Sequence, residues 1–292
     1  MRCLYTNADS LHNKLTELEI YVMKENIDII AITESLCKNP AKDYDPVFII
    51  SGFECIMNNA GRGTLLFLRN GLEYVTLSQY EDLFSPCTIC KIKLNKENDL
   101  IFGVIYRSPN STEEGALNMN KLISRISERF NGNSILLVGD FNYRDIDWKK
   151  DMSNTNDSHV ASKFLDCVHE NFLYQLVEEP THQRGSQTPS LIDLILTNRD
   201  DLVDDIIFHP PLGKSHHSVL CFDLNVCIKN DVKENVEKYR LDKGDYDGMR
   251  KYVSKIDWKG KLKEDDSLND WSETLVSTLE EAKIKFVPKK MF

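Results

Sequence analysis

At 292 residues the chain is long enough for one large domain or a domain with an appendage, and 41% apolar side chains suffice for a sizeable core. A net charge of −10 excludes a simple basic protein that coats DNA by charge alone. No apolar run approaches the ~20 residues of a membrane span. The charge is uneven: residues 229–292 hold 15 basic and 14 acidic side chains, which leaves residues 1–228 at net −11. Such an acidic body can still act on phosphates if a divalent cation occupies its carboxylates. Nothing at the N-terminus resembles a secretory signal. The eight cysteines lie mostly in apolar, strand-like runs, which fits a reducing, intracellular setting. Cys87 and Cys90 form one close pair with no second pair at zinc spacing.

In chain order, residues 2–5 form a first strand. Asn7-Ala8-Asp9-Ser10 follows, and then Leu11, Leu15, Leu18 and Val22 fall at helical spacing. Asp9 or Ser10 is placed to cap that helix, which accounts for Asp9 better than for Asn7. Residues 27–33 (IDIIAIT) are a buried strand ending in Glu34, a carboxylate that is costly to bury unless it meets a cation or donors. Residues 35–50 read as a loop. Five β-like runs come next, at 53–57, 64–68, 72–77, 88–94 and 100–106, with hairpin turns at Gly61-Arg62-Gly63 and at 95–98. Tyr106 closes the last run, where its ring can pack and its hydroxyl can meet a ligand, although packing alone is the commoner fate of one Tyr.

Residues 118–130 carry Met119, Leu122, Ile123, Ile126 and Phe130, the stripe of an amphipathic helix. The stretch 134–144 (SILLVGDFNYR) organises the rest: a short apolar strand that emerges at Gly139-Asp140-Phe141-Asn142. Alternation puts Asp140 and Asn142 on one side, where a carboxylate and a carboxamide can hold a water. The alternative is a strand end followed by an Asx-turn. A polar loop at 143–157, a helix through Val160, Phe164, Leu165 and Val168, and a loop at 177–190 follow. Residues 191–197 (LIDLILT) are a strand in which Asp193 needs a partner, a His or the backbone. Strands at 203–209 and 218–225 complete the set. Between them His216 and His217 point opposite ways, so at most one faces a site directly. Beyond about residue 230 charged amphipathic helices are expected at 239–255 and 268–286, as a linker or docking segment.

Asn7, Glu34, Tyr106, Asp140, Asn142, Asp193 and His217 each sit at, in or just past a strand. If the strands pack into sheets, their ends can meet on one rim as equipment for metal-assisted phosphodiester hydrolysis. Glu34 would hold a hard cation through oxygen. Asp140 would orient and deprotonate a water, while His217 and Asn7 steady the phosphorane charge.

The ordered series YTNADSL, ITES, VIYRSPN, LLVGDFN, SLIDLILTN and GKSHHSVL resembles the endonuclease/exonuclease/phosphatase superfamily, and within it the apurinic-endonuclease-like domain of LINE-type non-LTR retrotransposons. The likeness covers roughly residues 2–226. The tail is similar to the segment joining this domain to a reverse transcriptase, and no polymerase lies within the 292 residues. The resemblance implies an α/β fold, a DNase I-like four-layer α/β/β/α sandwich of two mostly antiparallel sheets. It also implies domains at 1–228 and 229–292, a Mg2+ cofactor (or Mn2+), DNA as partner, a reverse transcriptase in cis, no membrane, and a nuclear location. Such a domain nicks one DNA strand to leave a primer for reverse transcription. Carried over by position, Asn7 and Glu34 match the amide and the metal-binding acid, and Tyr106 the phosphate-contacting tyrosine. Asp140 and Asn142 match the water-orienting pair, Asp193 the buried acid, and His217 the histidine. Asp9 and His216 join Glu34 as candidate metal ligands. His216 departs from the family, which usually has Asp there, and so removes a hard-oxygen ligand. Two other readings stay open: a phosphomonoesterase or lipid phosphodiesterase on the same scaffold, and a non-catalytic interaction module.

Overall fold

In the computed structural model, residues 1–38, 47–95, 98–226, 237–239, 243–261 and 268–291 are described. The elements of the first unit are β1 (Arg2–Asn7), α1 (Leu15–Glu25), β2 (Ile29–Thr33), β3 (Phe53–Asn58), β4 (Thr64–Arg69), β5 (Tyr74–Thr76), β6 (Cys87–Lys93) and β7 (Asp99–Tyr106). They continue as α2 (Glu113–Arg129), β8 (Ser134–Asp140), β9 (Ile146–Asp147), β10 (Met152–Ser153), α3 (Val160–Glu170), β11 (Tyr174–Gln175), β12 (Asp193–Thr197), β13 (Val203–His209) and β14 (Val219–Leu224).

The apolar strands assemble into two six-stranded sheets, ordered β13-β14-β1-β2-β4-β3 and β11-β12-β8-β7-β6-β5. Each is antiparallel except for one parallel pair, β1 with β2 and β7 with β8. The parallel pairs matter most, because they send two consecutive strand ends out of the same edge. The expected four layers are present. Cys3, Tyr5, Ala31, Leu66 and Phe222 of the first sheet pack on Phe102, Val104, Leu136, Val138 and Ile195 of the second. On the outer face of the first sheet lies α1, through Leu18 and Val22. On the outer face of the second lie α2 and α3, through Met119, Leu122, Ile126, Phe164 and Val168. Burying each such side chain is worth about 1.5–3 kcal/mol against leaving it in water.

Gly139 has a packing reason. A Cβ there would stand 1.9 Å from the Ile105 carbonyl oxygen, so β7 and β8 approach each other only because position 139 has no side chain.

Several boundaries move. The first helix starts at Leu15, four residues after the first expected stripe residue. Lys14 occupies its N-cap with no side-chain cap, so neither Asp9 nor Ser10 caps it. The second begins at Glu113, because the Thr112 side chain accepts from the Gly115 N–H as a cap that apolar spacing alone does not reveal. The 143–157 loop holds the small β9–β10 ladder. The expected loop at 35–50 and turn at 95–98 fall partly outside the described residues, as do Cys227 and the expected boundary at 228/229.

The chain divides into two compact units, Met1–Lys229 and Asn230–Phe292. In the second, α4 (Tyr246–Val253), α5 (Trp258–Lys261) and α6 (Leu268–Phe286) are joined by a strand pair, β15 (Glu237–Tyr239) with β16 (Lys289–Met291), that the charged sequence gave no reason to expect. The expected helix at 239–255 shortens to α4, its residues 240–242 lying outside the description. Asp245 at the N-cap and the Tyr252–Phe286 ring contact hold α4 in place. Among the described residues no helix is long and apolar enough to cross a membrane.

Candidate active site

Strand register places the site. In the second sheet Tyr106 pairs with Asp140 and Asp140 with Asp193, so three side chains lie in one row across β7, β8 and β12. In the first sheet Asn7 pairs with Thr33. Beyond them the ladder continues irregularly: Ala8 N–H donates to the Thr33 carbonyl (2.9 Å) and Ser10 N–H to the Glu34 carbonyl (2.7 Å). Asp9, Ser10 and Glu34 have left-handed φ values of 39°, 75° and 49°. Non-glycine residues hold such φ values only where the surroundings enforce them.

Asn7 links the two sheets. Its Oδ1 accepts from the Asp9 N–H (3.0 Å), which turns Nδ2 toward the acids. Nδ2 donates to Glu34 Oε1 (3.2 Å) and to Asp140 Oδ2 (2.8 Å). Asp140 is 1% exposed, and its other oxygen, Oδ1, is buried without a hydrogen-bond partner among the described residues. Burial first, and then the negative charge of Asp193, hold the Asp140 carboxyl well above the usual carboxylate range, against the pull of His217.

Asp193 finds the partner it needs. Its Oδ2 accepts from His217 Nδ1 (2.7 Å) and its Oδ1 from the Tyr5 hydroxyl (2.7 Å). Tyr5 in turn accepts from the Thr33 hydroxyl (3.1 Å). Burial pushes the Asp193 carboxyl up, but His217 and the hydrogen bonds outweigh it and leave it below the usual range. Burial likewise opposes the His217 charge, but Asp193 overcomes it and raises the imidazole to about 9. At neutral pH His217 is therefore a cation with Nδ1–H committed to Asp193 and Nε2–H free to meet an anion. Tyr106 is raised by burial and then by the Glu34 and Asp140 charges, so it stays a hydroxyl donor.

Two expected members make no side-chain hydrogen bond to Glu34, Asp140 or Asp193 among the described residues. Asn142 lies past the end of β8 with φ 56°, so the alternation that would align it with Asp140 is broken. Its Nδ2 donates to the Arg107 carbonyl (2.8 Å), and Arg107 returns a bond from Nη1 to the Asn142 carbonyl (3.2 Å). This pairing ties the loop after β7 to the loop after β8. The His216 ring stands 6.3 Å edge-on from that of His182, and its carbonyl accepts from the Gln183 N–H. Asp9 and Glu34, by contrast, do meet, joined by Arg62 Nη2 at 2.7 and 2.6 Å.

Residues 100–221 match the family described as Endonuclease-reverse transcriptase. The endonuclease domain of TRAS1, a telomere-specific non-LTR retrotransposon, superposes with a TM-score of 0.59 at 18% identity, covering 77% of this chain and 98% of that one. The 3′-5′ exonuclease NExo from Neisseria meningitidis superposes at 0.55 with 15% identity, over 77% of this chain and 99% of that one. The catalytic domain of Xenopus laevis APE2 does so at 0.54 with 13% identity, over 79% and 94%. No curated protein matches in sequence. The first unit has the endonuclease/exonuclease/phosphatase fold.

A hard divalent ion needs oxygen donors, and the acids here offer several. Asp140, Asp193 and His217 each offer a ligand atom within 4.8 Å of the others. Asp193 is fully committed to Tyr5 and His217, so this trio is a hydrogen-bonded pair beside an acid. The donors that suit a hard cation are the oxygens of Glu34 and Asp9. Asp140 Oδ1, unpartnered among the described residues, is a buried acceptor that calls for a bound water or an ion, and Asn7 Nδ2 links its carboxylate to Glu34. The set fits Mg2+.

The sequence reading missed four contributors. Tyr5 looked like an ordinary strand residue, although it shares its side of β1 with Asn7. Thr181 accepts from the Ile192 and Asp193 N–H groups with its hydroxyl (3.3 and 3.1 Å), and only its position in a loop concealed it. His182 forms a bridge with His217 and sets its ring 4.6 Å from that imidazole. Burial, then the His217 charge, lower His182 to about 4, so it sits neutral beside a cation. Arg62, read as a turn residue, is the fourth.

Proposed function

We propose that the first unit is a Mg2+-dependent endonuclease that hydrolyses a phosphodiester in one strand of DNA, leaving a 3′-hydroxyl that primes a reverse transcriptase in the same parent protein. A nuclear location follows from that role. The observation that carries the reading is Asp140: a buried carboxylate with one oxygen held by Asn7 and the other unpartnered, beside a His217 cation oriented by Asp193.

Glu34 and Asp9 would hold the ion. Bound there, Mg2+ would supply positive charge that lowers the proton affinity of Asp140 and stabilises the phosphorane and the leaving oxygen. The chain's own groups do the rest. Asp140 Oδ1 takes a proton from the attacking water as the water's oxygen bonds to phosphorus and the bond between phosphorus and the 3′ oxygen breaks, solvent water giving that leaving oxygen its proton. Asn7 Nδ2 keeps the carboxylate facing the cleft. His217 Nε2–H and the Tyr106 hydroxyl donate to the phosphoryl oxygens, where negative charge accumulates. Asn142 acts through Arg107, by fixing the two loops that flank the row.

Supercoiled plasmid tests the reading. The expected result is conversion to open circle with Mg2+ and none with EDTA. Hydrolysis of a soluble phosphomonoester without nicking would instead place the chain with the phosphatases. No hydrolysis of either substrate would leave a non-catalytic module.

A further inference from the structure

Between β3 and β4 the chain turns through Gly61-Arg62-Gly63, with φ of 56° and 73° at the two glycines. A Cβ on Gly63 would stand 2.5 Å from Ser35 Oγ and 2.8 Å from Leu36 Cγ. The turn is bonded to the segment after Glu34: Leu36 N–H donates to the Arg62 carbonyl (2.9 Å) and Ser35 N–H to the Gly63 carbonyl (3.4 Å). The Arg62 backbone is therefore held in fixed register with Glu34, and the glycines make that approach possible.

The side chain uses this placement fully. Nη2 donates to Glu34 Oε2 (2.6 Å) and Asp9 Oδ1 (2.7 Å), and Nε donates to the same Glu34 oxygen (3.0 Å). The Arg62 side chain is only 15% exposed. Its third nitrogen, Nη1, is buried with no partner among the described residues. Leaving a buried donor unmade costs stability, so Arg62 is held here by the two acids despite an imperfect fit. Lys38 adds a weaker contact to Asp9 (3.5 Å), and Lys14 donates to the Ala8 and Asp9 carbonyls, so Arg62 is the cation that joins the two carboxylates.

Glu34 Oε2 and Asp9 Oδ1 are the oxygens that a hard divalent ion at these two residues would need. One oxygen cannot serve both cations at full strength, and like charges a few ångströms apart repel. We propose that Arg62 is a built-in counter-ion that competes with the divalent ion for Glu34 and Asp9, and so sets the ion concentration at which the site fills. The proposal rests on the metal assignment to Glu34. The acids are kept from repelling each other by a residue of this chain, and the ion must displace its bonds to bind.

The test is a Mn2+ titration of the full chain, followed by calorimetry, with no substrate present. Arg62→Gln is expected to bind Mn2+ about tenfold tighter than the parent, the loss of one nearby positive charge. It should also melt lower than the parent without added metal and gain more from Mn2+. Arg62→Lys keeps the charge but cannot span both acids, and is expected to fall between; it decides the matter if Arg62→Gln does not fold. Glu34→Gln is expected to lose binding. Parent-like binding by Glu34→Gln would overturn the metal site itself. Loss of binding there, with Arg62 variants binding no tighter than the parent, would overturn the role of Arg62 alone.

Discussion

Asp140→Asn will lower nicking by about 10³-fold, the scale of a lost general base, and will leave the melting temperature at neutral pH unchanged or raised. The two effects have one cause. Burial and the Asp193 charge hold the Asp140 carboxyl above its ordinary range. A group raised on folding contributes stability that is complete below its unfolded value and is lost as pH rises through its folded one. At neutral pH the carboxylate is therefore a burden on the folded chain, kept for chemistry. The asparagine isostere retains an acceptor for Asn7 Nδ2, which now bonds Asp140 Oδ2 at 2.8 Å, and it cannot take a proton from water. Plasmid nicking and a melting curve on the same preparation check both halves. Parent-like nicking would remove Asp140 from the mechanism, and a melting point lower by several degrees would make it a structural residue.

The second large effect concerns the buried pair. His217→Ala leaves Asp193, which is 0% exposed, with the Tyr5 hydroxyl and the Asp193 N–H contact to Thr181 but no cation. Stranding a buried charge costs about 3–5 kcal/mol, so the variant should lose that much stability as well as most of its activity. The pH dependence identifies the source. Asp193 is depressed, so its share is present above its unfolded value and lost on acidification through its lower folded one. His217 is raised from 6.5 to about 9, so its share is complete below 6.5 and fades as pH rises through about 9. Denaturant unfolding of parent and variant should therefore differ more near about pH 7 than near about pH 10, because the His217 share fades as pH rises through about 9. A gap independent of pH would mean that His217 stabilises by packing alone.

What the sequence made legible follows from how strands end. Asn7, Glu34, Tyr106, Asp140 and His217 each terminate or flank an apolar run, and a polar side chain at such a point stands out. Asp193 stands out for the opposite reason, as a charge among aliphatics. Reading their convergence required the register of two sheets, and the parallel pairs β1–β2 and β7–β8 supply it. The reading failed where the backbone leaves the strand. Left-handed φ at Asn142 cancels the alternation that aligned it with Asp140, and left-handed φ at Asp9 and Ser10 takes both away from the helix they were expected to cap. Arg62 was invisible for another reason: a glycine-flanked turn looks like any hairpin, and nothing local says that Glu34, 28 positions away, waits beneath it. His216 stood out as a departure in a motif, yet its ring turns to His182.

The proposed cation seat is Glu34 with Asp9, tied to the buried Asp140 through Asn7. Anomalous diffraction from a crystal soaked in Mn2+ tests that directly. The predicted result is a single strong peak bonded to a Glu34 oxygen, absent from Glu34→Gln crystals soaked in the same way. A peak confined to the Asp193–His217 pair, or no peak within reach of Glu34, would contradict it.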